Sequence, residues 1–435
     1  MSQRAPTAPP PVPAEAAALP QTTIASASQG RRALGTPAGY RVLTLAPTPF
    51  FGDYGCHVRI LEEMRALQAA GHRPTLYTYP YGRAVADVAV RRSPRPPGRW
   101  QARPGSSRHK LYLDALLGAT ALRALGRTRP DLVHGHLHEG AFIGYPLSRL
   151  ARAPLVFDFQ GSLTAEMLDH GFLRAGSRWY RPTRGLEAAI NRLADAVVTS
   201  TRHGADLLVR EFGCPARRIT VVPDGVNVAR FCPPAPGSAR AARVAALRAR
   251  LGLPQGAPVV VYLGLLAEYQ GLSLLLRAAQ RVLQAEPDVY FLLLGYPGQA
   301  HYGAQAAALG IADRVRLPGR VPYEQAPDYL ALGTLAVAPK VSATEGNGKV
   351  LNYMAMALPV VAFDAPVNRE LLGKLGLYAP LGDANALGEA VLAAIRDGTG
   401  AAARGQALRA RAAAHLSWDA AATRLGAVYD RLLTA

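Results

Sequence analysis

Short apolar, β-branched runs recur along this chain, each separated from the next by a helical pattern. The first set falls at Arg41–Ala46, Thr75–Tyr79, Leu132–His136, Leu155–Phe159, Ala194–Ser200 and Ile219–Val222. Runs of this kind read as strands buried on both faces, and therefore as a parallel sheet with crossover helices. The alternation pauses at Pro223–Gly237, rich in Pro and Gly. It restarts with Val259–Leu263, Val289–Leu294, Arg314–Leu317, Leu335–Ala338 and Pro359–Phe363. At 435 residues two domains are the natural expectation. Two doubly wound α/β domains facing a ligand cleft follow. The expected divisions are a Pro/Ala-rich disordered tail (1–38), an N-terminal domain (39–222), a hinge (223–256) and a C-terminal domain (257–415). A final helix (416–435) should pack back on the N-terminal domain.

The 49% hydrophobic content supports real cores, yet no run of about twenty apolar residues appears, as a spanning helix requires. Cys56, Cys214 and Cys232 are too scattered for a disulfide framework and match no zinc spacing, so a reducing, cytoplasmic setting is expected. The formal charge of +19 follows partly from an Ala/Arg/Gly/Pro-rich composition, but it is uneven. Between Arg83 and Lys110 lie Arg91, Arg92, Arg95, Arg99, Arg103 and Arg108, with Trp100 among them and Asp87 opposing. Such a stretch suits an anionic membrane surface, here the inner face of the cell membrane. No nucleic-acid motif accompanies it, and nucleic acid is not an expected partner.

Pro339 to Asp364, PKVSATEGNGKVLNYMAMALPVVAFD, carries most of the functional signal. It reads as a strand end, a glycine loop, a helix and a second buried strand. Glu345, Gly346, Asn347, Gly348 and Lys349 then project from the carboxyl edge of a parallel sheet. Free backbone N–H groups, the helix dipole and an ammonium favour an anion there. A plain glycine turn capping an ordinary helix fits the same residues. No Gly-x-Gly-x-x-Gly follows the first strand, Gly348-Lys349 lacks the rest of a Walker loop, and no Asp-x-Asp occurs.

Nearly the whole folded length, from about Tyr40 onward, resembles the retaining family-four glycosyltransferases of the GT-B architecture. The resemblance rests on VLTLAPTPFFGDYGCHV, on Asp131-Leu132-Val133-His134-Gly135-His136, and on the hinge run Val221-Val222-Pro223-Asp224-Gly225-Val226-Asn227 with Phe231-Cys232-Pro233. Pro359-Val360-Val361-Ala362 and Ser417-Trp418 add to it. It implies two Rossmann-like domains and transfer of a sugar from a nucleotide-sugar donor to a glycan or lipid-linked acceptor, with no cofactor and no metal. The departures gather at the donor site. The family's Gly-Arg-Leu, three residues, then Lys-Gly appears here as Gly264-Leu265-Leu266-Ala267-Glu268-Tyr269-Gln270-Gly271, without either cation. The second of the family's paired glutamates falls on Asn352, the first on Thr344 or Glu345, and the family's His-Gly becomes Gln160-Gly161. These losses leave open a catalytically degenerate binding protein in a glycan-assembly complex; a sugar-nucleotide epimerase is a third reading.

The resemblance assigns His136 to the reacting centre, at a strand end facing the cleft. Glu345 reads as stabilising positive charge at the anomeric carbon, as an anchor for donor hydroxyls, or as an ordinary partner of the helix dipole. Donor contacts are expected from Gly52, Gly55, Gly264, Lys340, Glu345, Gly346, Asn347, Gly348, Lys349 and Asn352. Lys349 reads as a phosphate contact or as a solvated lysine. Lys340, just after a strand end, reads as a replacement for one missing cation or as a structural residue. Asn352 reads as a ribose contact, weaker than a carboxylate, or as a structural helix residue. Gly52 and Gly55 permit close backbone approach or a plain turn. His134, His136 and His138 would share one face of an extended strand. Histidine is a common metal ligand, but no clustered fourth ligand appears, and no metal site is expected.

Overall fold

A computed structural model describes residues 39–53, 55–96, 108–169, 171–342 and 346–434. The expected tail (1–38), Glu345, and Arg99, Trp100 and Arg103 of the basic stretch lie outside the described residues.

Two all-parallel sheets form, as the recurring apolar runs require. The first has seven strands: β1 (Arg41–Ala46), β2 (Arg73–Thr78), β3 (Val90–Arg92), β4 (Leu132–His136), β5 (Leu155–Phe159), β6 (Ala196–Thr199) and β7 (Ile219–Val221), in the order β3-β2-β1-β4-β5-β6-β7. The second has six: β8 (Val259–Leu263), β9 (Tyr290–Leu294), β10 (Val315–Gly319), β11 (Leu335–Ala338), β12 (Val360–Phe363) and β13 (Leu377–Ala379), in the order β10-β9-β8-β11-β12-β13. β4, β5, β9, β11 and β12 are buried at every residue, which is why they read as unbroken apolar runs. In each sheet the winding reverses beside the first strand, between β1 and β4 and between β8 and β11. Ligands of open α/β sheets sit in the crevice at that switch point.

The chain crosses between the domains at two places that touch. The backbone N–H of Val226, in the hinge run, bonds Leu416 O at 2.8 Å, and Val226 pairs with Ser417. A Cβ on Gly225 would lie 2.5 Å from the Trp418 nitrogen, so the close approach depends on that glycine. Ser417 then caps the last helix, Trp418–Leu433, by accepting from Ala420 N. That helix buries Trp418, Leu425, Val428 and Tyr429 among Val42, Leu67, Leu132 and Val198 of the first domain. The stretch 223–256, expected as a hinge, holds the helix Ala239–Arg250, whose Arg240 pairs with Asp328 of the second domain at 2.7 Å.

Part of the basic stretch is tied down. β3 pairs with β2, Arg92 donates to the carbonyls of Tyr79 (3.3 Å), Tyr81 and Arg83 (2.9 Å), and Arg83 pairs with Glu324 at 2.7 Å. Arg91 and Arg95 are exposed. Among the described residues no helix is long and apolar enough to cross a membrane.

Candidate functional site

A cavity of about 390 Å³ lies between the two carboxyl edges. Its walls come from residues that follow β1, β4 and β5 on one side and β8, β9 and β11 on the other. The described donor candidates converge on it, except Gly52. Gly55, Gly264, Lys340, Gly346, Asn347, Gly348, Lys349 and Asn352 all line it. The carbonyl of Gly52 accepts from Tyr296 OH at 2.5 Å, joining the two walls at the rim. Asp53 makes a second join: its carboxylate holds Arg320 (2.5 Å) and the Tyr323 N–H (3.1 Å) of the opposite domain, with Arg83 at 3.2 Å.

Lys349 opens the helix Lys349–Ala355. Its ammonium lies 4.7 Å from the centre of the Tyr262 ring and 3.3 Å from the Tyr262 hydroxyl, and it donates to Oε1 of Gln270. An aromatic face and an amide oxygen hold the ammonium in place. Lys340 is placed differently. It is 4% exposed and donates to the Gly346 carbonyl at 2.9 Å, so it ties down the glycine loop. Asn347 is likewise buried, its amide donating to Asn368 Oδ1 at 2.8 Å.

His136 was expected to face the cleft, and its side chain does not. It is fully buried, and its Nδ1 lies 2.8 Å from Asp158 Oδ2. Alternation along β4 puts His134 and His136 on one face, where the helix Gly55–Ala69 and the C-terminal helix cover them; His134 Nδ1 meets Tyr429 OH at 2.7 Å. His138 does not join that face, because the strand ends at His136. Leu137 takes a left-handed φ of 63°, and the chain turns into the helix Leu137–Ala151. His138 and Glu139 thereby come onto the cavity wall.

Beneath that wall lies a charged cluster that the sequence does not announce. Arg59 is 5% exposed and makes bonds to both oxygens of Asp158 (2.8–3.2 Å), an ion pair with Asp224 of the hinge run, and a 3.9 Å approach to Glu63. Burial alone would raise the Asp158 pKa, but Arg59 and the His136 bond outweigh it and hold the carboxyl far below its usual range. Glu63 has less compensation, and burial pushes it up to about 7. The Glu63, His134 and His136 ligand atoms lie within 4.8 Å of one another, close enough to hold an ion, but the guanidinium of Arg59 already supplies positive charge there. Gln160, at the family's histidine position, donates to Asp158 at 2.7 Å and lines the cavity.

On the same wall Lys110 pairs with Glu139. Burial disfavours its charge, and Glu139 outweighs that, holding the ammonium above its ordinary pKa. His57, fully buried, accepts from the Gly52 N–H at 2.8 Å and meets the Thr48 hydroxyl; burial drops its pKa to about 3.

Comparison with known proteins agrees with this geometry. Residues 55–230 match Glycosyltransferase Family 4, and residues 257–397 match Glycosyl transferases group 1. The D-inositol 3-phosphate glycosyltransferase of Salinispora tropica is 32% identical over 73% of this chain and 67% of its own length. The 2-deoxystreptamine glucosyltransferase of Streptomyces kanamyceticus is 27% identical over 73% and 83%. Among solved structures, sucrose-phosphate synthase of Thermosynechococcus elongatus superposes with a TM-score of 0.75 at 20% identity, covering 90% of this chain and 99% of the other. Anabaena HepE, in complex with UDP and glucose, gives 0.71 at 19% identity over 90% and 100%. Two parallel sheets with opposed carboxyl edges, the hinge run that meets the Ser417-Trp418 corner and the matches over residues 55–230 and 257–397 place the chain in glycosyltransferase family 4, with the GT-B fold.

Proposed function

We propose that this chain transfers a sugar from a nucleotide-sugar donor to a hydroxyl of a glycan or other polyol acceptor, free or lipid-linked, without a metal ion and with retention at the anomeric carbon. The observation that carries this reading is the position of the Lys349 ammonium, held by Tyr262 and Gln270 on the cavity wall at the carboxyl end of β8. A departing diphosphate there gains a fixed cation at no reorganisation cost. Gly346 and Gly348 bring backbone close to the phosphates, Lys340 keeps that loop in place, and Asn352 meets the ribose. Glu345 keeps its proposed role beside the anomeric carbon through the family resemblance. His136 acts as a support under the acceptor wall, through Asp158. HepE has been solved with UDP and with UDP-glucose, and the relatives named above act on inositol phosphate and 2-deoxystreptamine, both cyclic polyols. For a lipid-linked acceptor, exposed Arg91 and Arg95 are the residues to meet an anionic cytoplasmic membrane face.

Thermal-shift titration with UDP, GDP, ADP and their sugars tests the reading. One nucleotide should raise the melting temperature by mass action, and Lys349→Ala should weaken the shift. Release of nucleoside diphosphate from the matching sugar donor, with acceptor-dependent product, completes it. No shift with any nucleotide would sink the reading in favour of a binding protein that has lost donor chemistry.

A further inference from the structure

A surface helix that meets only water carries polar residues on its outer stripe. Three helices of the N-terminal domain break that rule. Among the described residues, every exposed large apolar side chain except Val209 and Leu381 lies between Leu111 and Leu186. On the helix Leu137–Ala151 the outer stripe, at helical spacing, is Phe142, Tyr145, Pro146, Arg149 and Leu150, with Phe142 59% and Leu150 67% exposed. The helix Arg108–Thr128 packs against it and exposes Leu111 and Leu122. The helix Tyr180–Asn191 packs against it as well, with Leu186 exposed and Trp179 at its N-cap 60% exposed. Leu117, Leu147 and Ile190, from the inner sides of the three helices, share one core with β1, β2, β4, β5 and β6. Helices that bury one side in a common core turn their other sides to the same solvent, so these side chains form one surface, of the kind that marks an interaction site. Its charge is uneven too. Arg123, Arg127, Arg152, Arg174, Arg178 and Arg181 are exposed on or beside it, and Asp169 is the one exposed carboxylate described between Leu111 and Leu186. Arg149 and Arg178 lie over the rings of Tyr145 and Trp179, 5.2 and 5.4 Å from the ring centres.

The combination selects the occupant. Two copies of the chain meeting through this face would set arginine against arginine. Nucleic acid would satisfy the arginines but leave phenylalanine and leucine facing phosphates. An anionic bilayer surface accepts both kinds of side chain: aromatic rings sit at headgroup level, leucines reach the upper acyl chains, and arginines meet lipid phosphates. Position agrees. Lys110, Leu113, His138 and Glu139, from the first turns of two of these helices, line the cavity, so the apolar face begins beside its acceptor wall. We propose that the outer faces of the helices Arg108–Thr128, Leu137–Ala151 and Tyr180–Asn191 seat the chain on an anionic lipid surface. This docking face is separate from Arg91 and Arg95, and it builds on the transferase reading by setting lipid beside the acceptor wall.

Sedimentation of the full chain with vesicles of phosphatidylcholine alone, and of phosphatidylcholine and phosphatidylglycerol in equal parts, tests this. The chain should partition onto the second. Each arginine removed should weaken partition about fivefold, so Arg178→Ala with Arg181→Ala should lower it about twentyfold or more. Phe142→Ser with Leu150→Ser should lower it about tenfold or more at an unchanged melting temperature, because both side chains face solvent in the fold. Trp179 supplies a local signal. Its emission should shift to the blue on the anionic vesicles, and Trp179→Phe, which keeps an apolar ring, should still sediment but lose that shift. Full binding with the shift intact in Trp179→Phe would put the contact elsewhere and overturn the proposal. Equal binding to both kinds of vesicle would overturn it too, as would a lipid-free dimer that the Phe142 and Leu150 changes take apart. Nucleotide titration of the same protein is read separately. A chain that binds vesicles but no nucleotide fails the transferase reading alone, whereas one that binds nucleotide and stays in the supernatant fails this one alone.

Discussion

Lys349 and Gln270, 79 residues apart in sequence, meet at the floor of the donor wall, where the lysine ammonium donates to the glutamine side-chain oxygen. Position 270 is where the family pattern carries a lysine. Lys349, on a different element, therefore brings an ammonium to the side chain at that position. The pair is testable as a swap. Lys349→Gln should lower nucleoside diphosphate affinity about tenfold or more, the scale of one charged hydrogen bond. Gln270→Lys alone should also bind worse, because it sets two ammonium groups against each other. Gln270→Lys with Lys349→Gln should recover most of the affinity. Titration calorimetry reads all three, and a double variant no better than Lys349→Gln would refute an exchange of the charge between the two positions.

Gly264 is what leaves room for that ammonium. Its φ is 151°, and a Cβ built on it would sit 3.0 Å from Cε and Nζ of Lys349 and from the Tyr262 hydroxyl. Gly264→Ala should therefore displace the lysine tip, costing about tenfold in nucleotide affinity on the same scale. The strained backbone should cost about 1–3 kcal/mol of stability. A crystal structure with Lys349 unmoved and full nucleotide affinity would count against the assignment.

Removing Arg59 should be among the most damaging single changes in the N-terminal domain. Arg59→Met strands buried Asp158 and Glu63 without their cation, and breaking one side of a buried ion pair costs about 3–5 kcal/mol. Urea unfolding should show the lowered midpoint. Adding Asp158→Asn should restore part of it, since the second change removes a charge the first left unpaired. Strictly additive losses would mean that the two residues are not coupled.

What the sequence makes legible divides along physical lines. β4, β5, β8 and β11 begin and end where the apolar runs do, because strands covered on both faces admit little else. β3 and β13 went unread: each is three residues long and mostly half-exposed or exposed, so neither forms an apolar run. The helix Ala239–Arg250 buries only Leu247 and therefore shows no stripe against its Ala/Arg background. At the site, the 339–364 block is legible because its signal is local. The Arg59 cluster is not, since its partners lie 99 and 165 residues away and pair only after the sheet has formed. The side of β4 on which His136 would lie was equally hidden. Alternation fixes that His134 and His136 share a face, but only the packing of neighbouring helices decides which face it is.

His57 should make stability depend on pH with a definite sign. Its ordinary pKa is 6.5, and burial lowers it to about 3 in the folded chain. The unfolded chain therefore takes up a proton at this site as pH falls below about 6.5, while the folded chain does not until about 3. In that interval the unfolded state binds more protons, so the stability that neutral His57 contributes is complete above pH 6.5 and drains away on acidification, at up to about 1.4 kcal/mol per pH unit. Glu63, pushed up to about 7 by burial, tilts the other way: it stabilises the folded chain at low pH and loses that contribution as pH rises from about 4.5 to 7. Because the two slopes offset in wild type, the useful quantity is a difference. His57→Gln keeps groups able to meet the Gly52 N–H and the Thr48 hydroxyl, but cannot be protonated. Wild type should be the more stable at pH 7, and its advantage should shrink steadily toward pH 4, measured as urea midpoints across that range. An advantage that stays constant with pH would mean that His57 takes up its proton at the same pH in the folded and unfolded chain, so that burial does not depress its pKa.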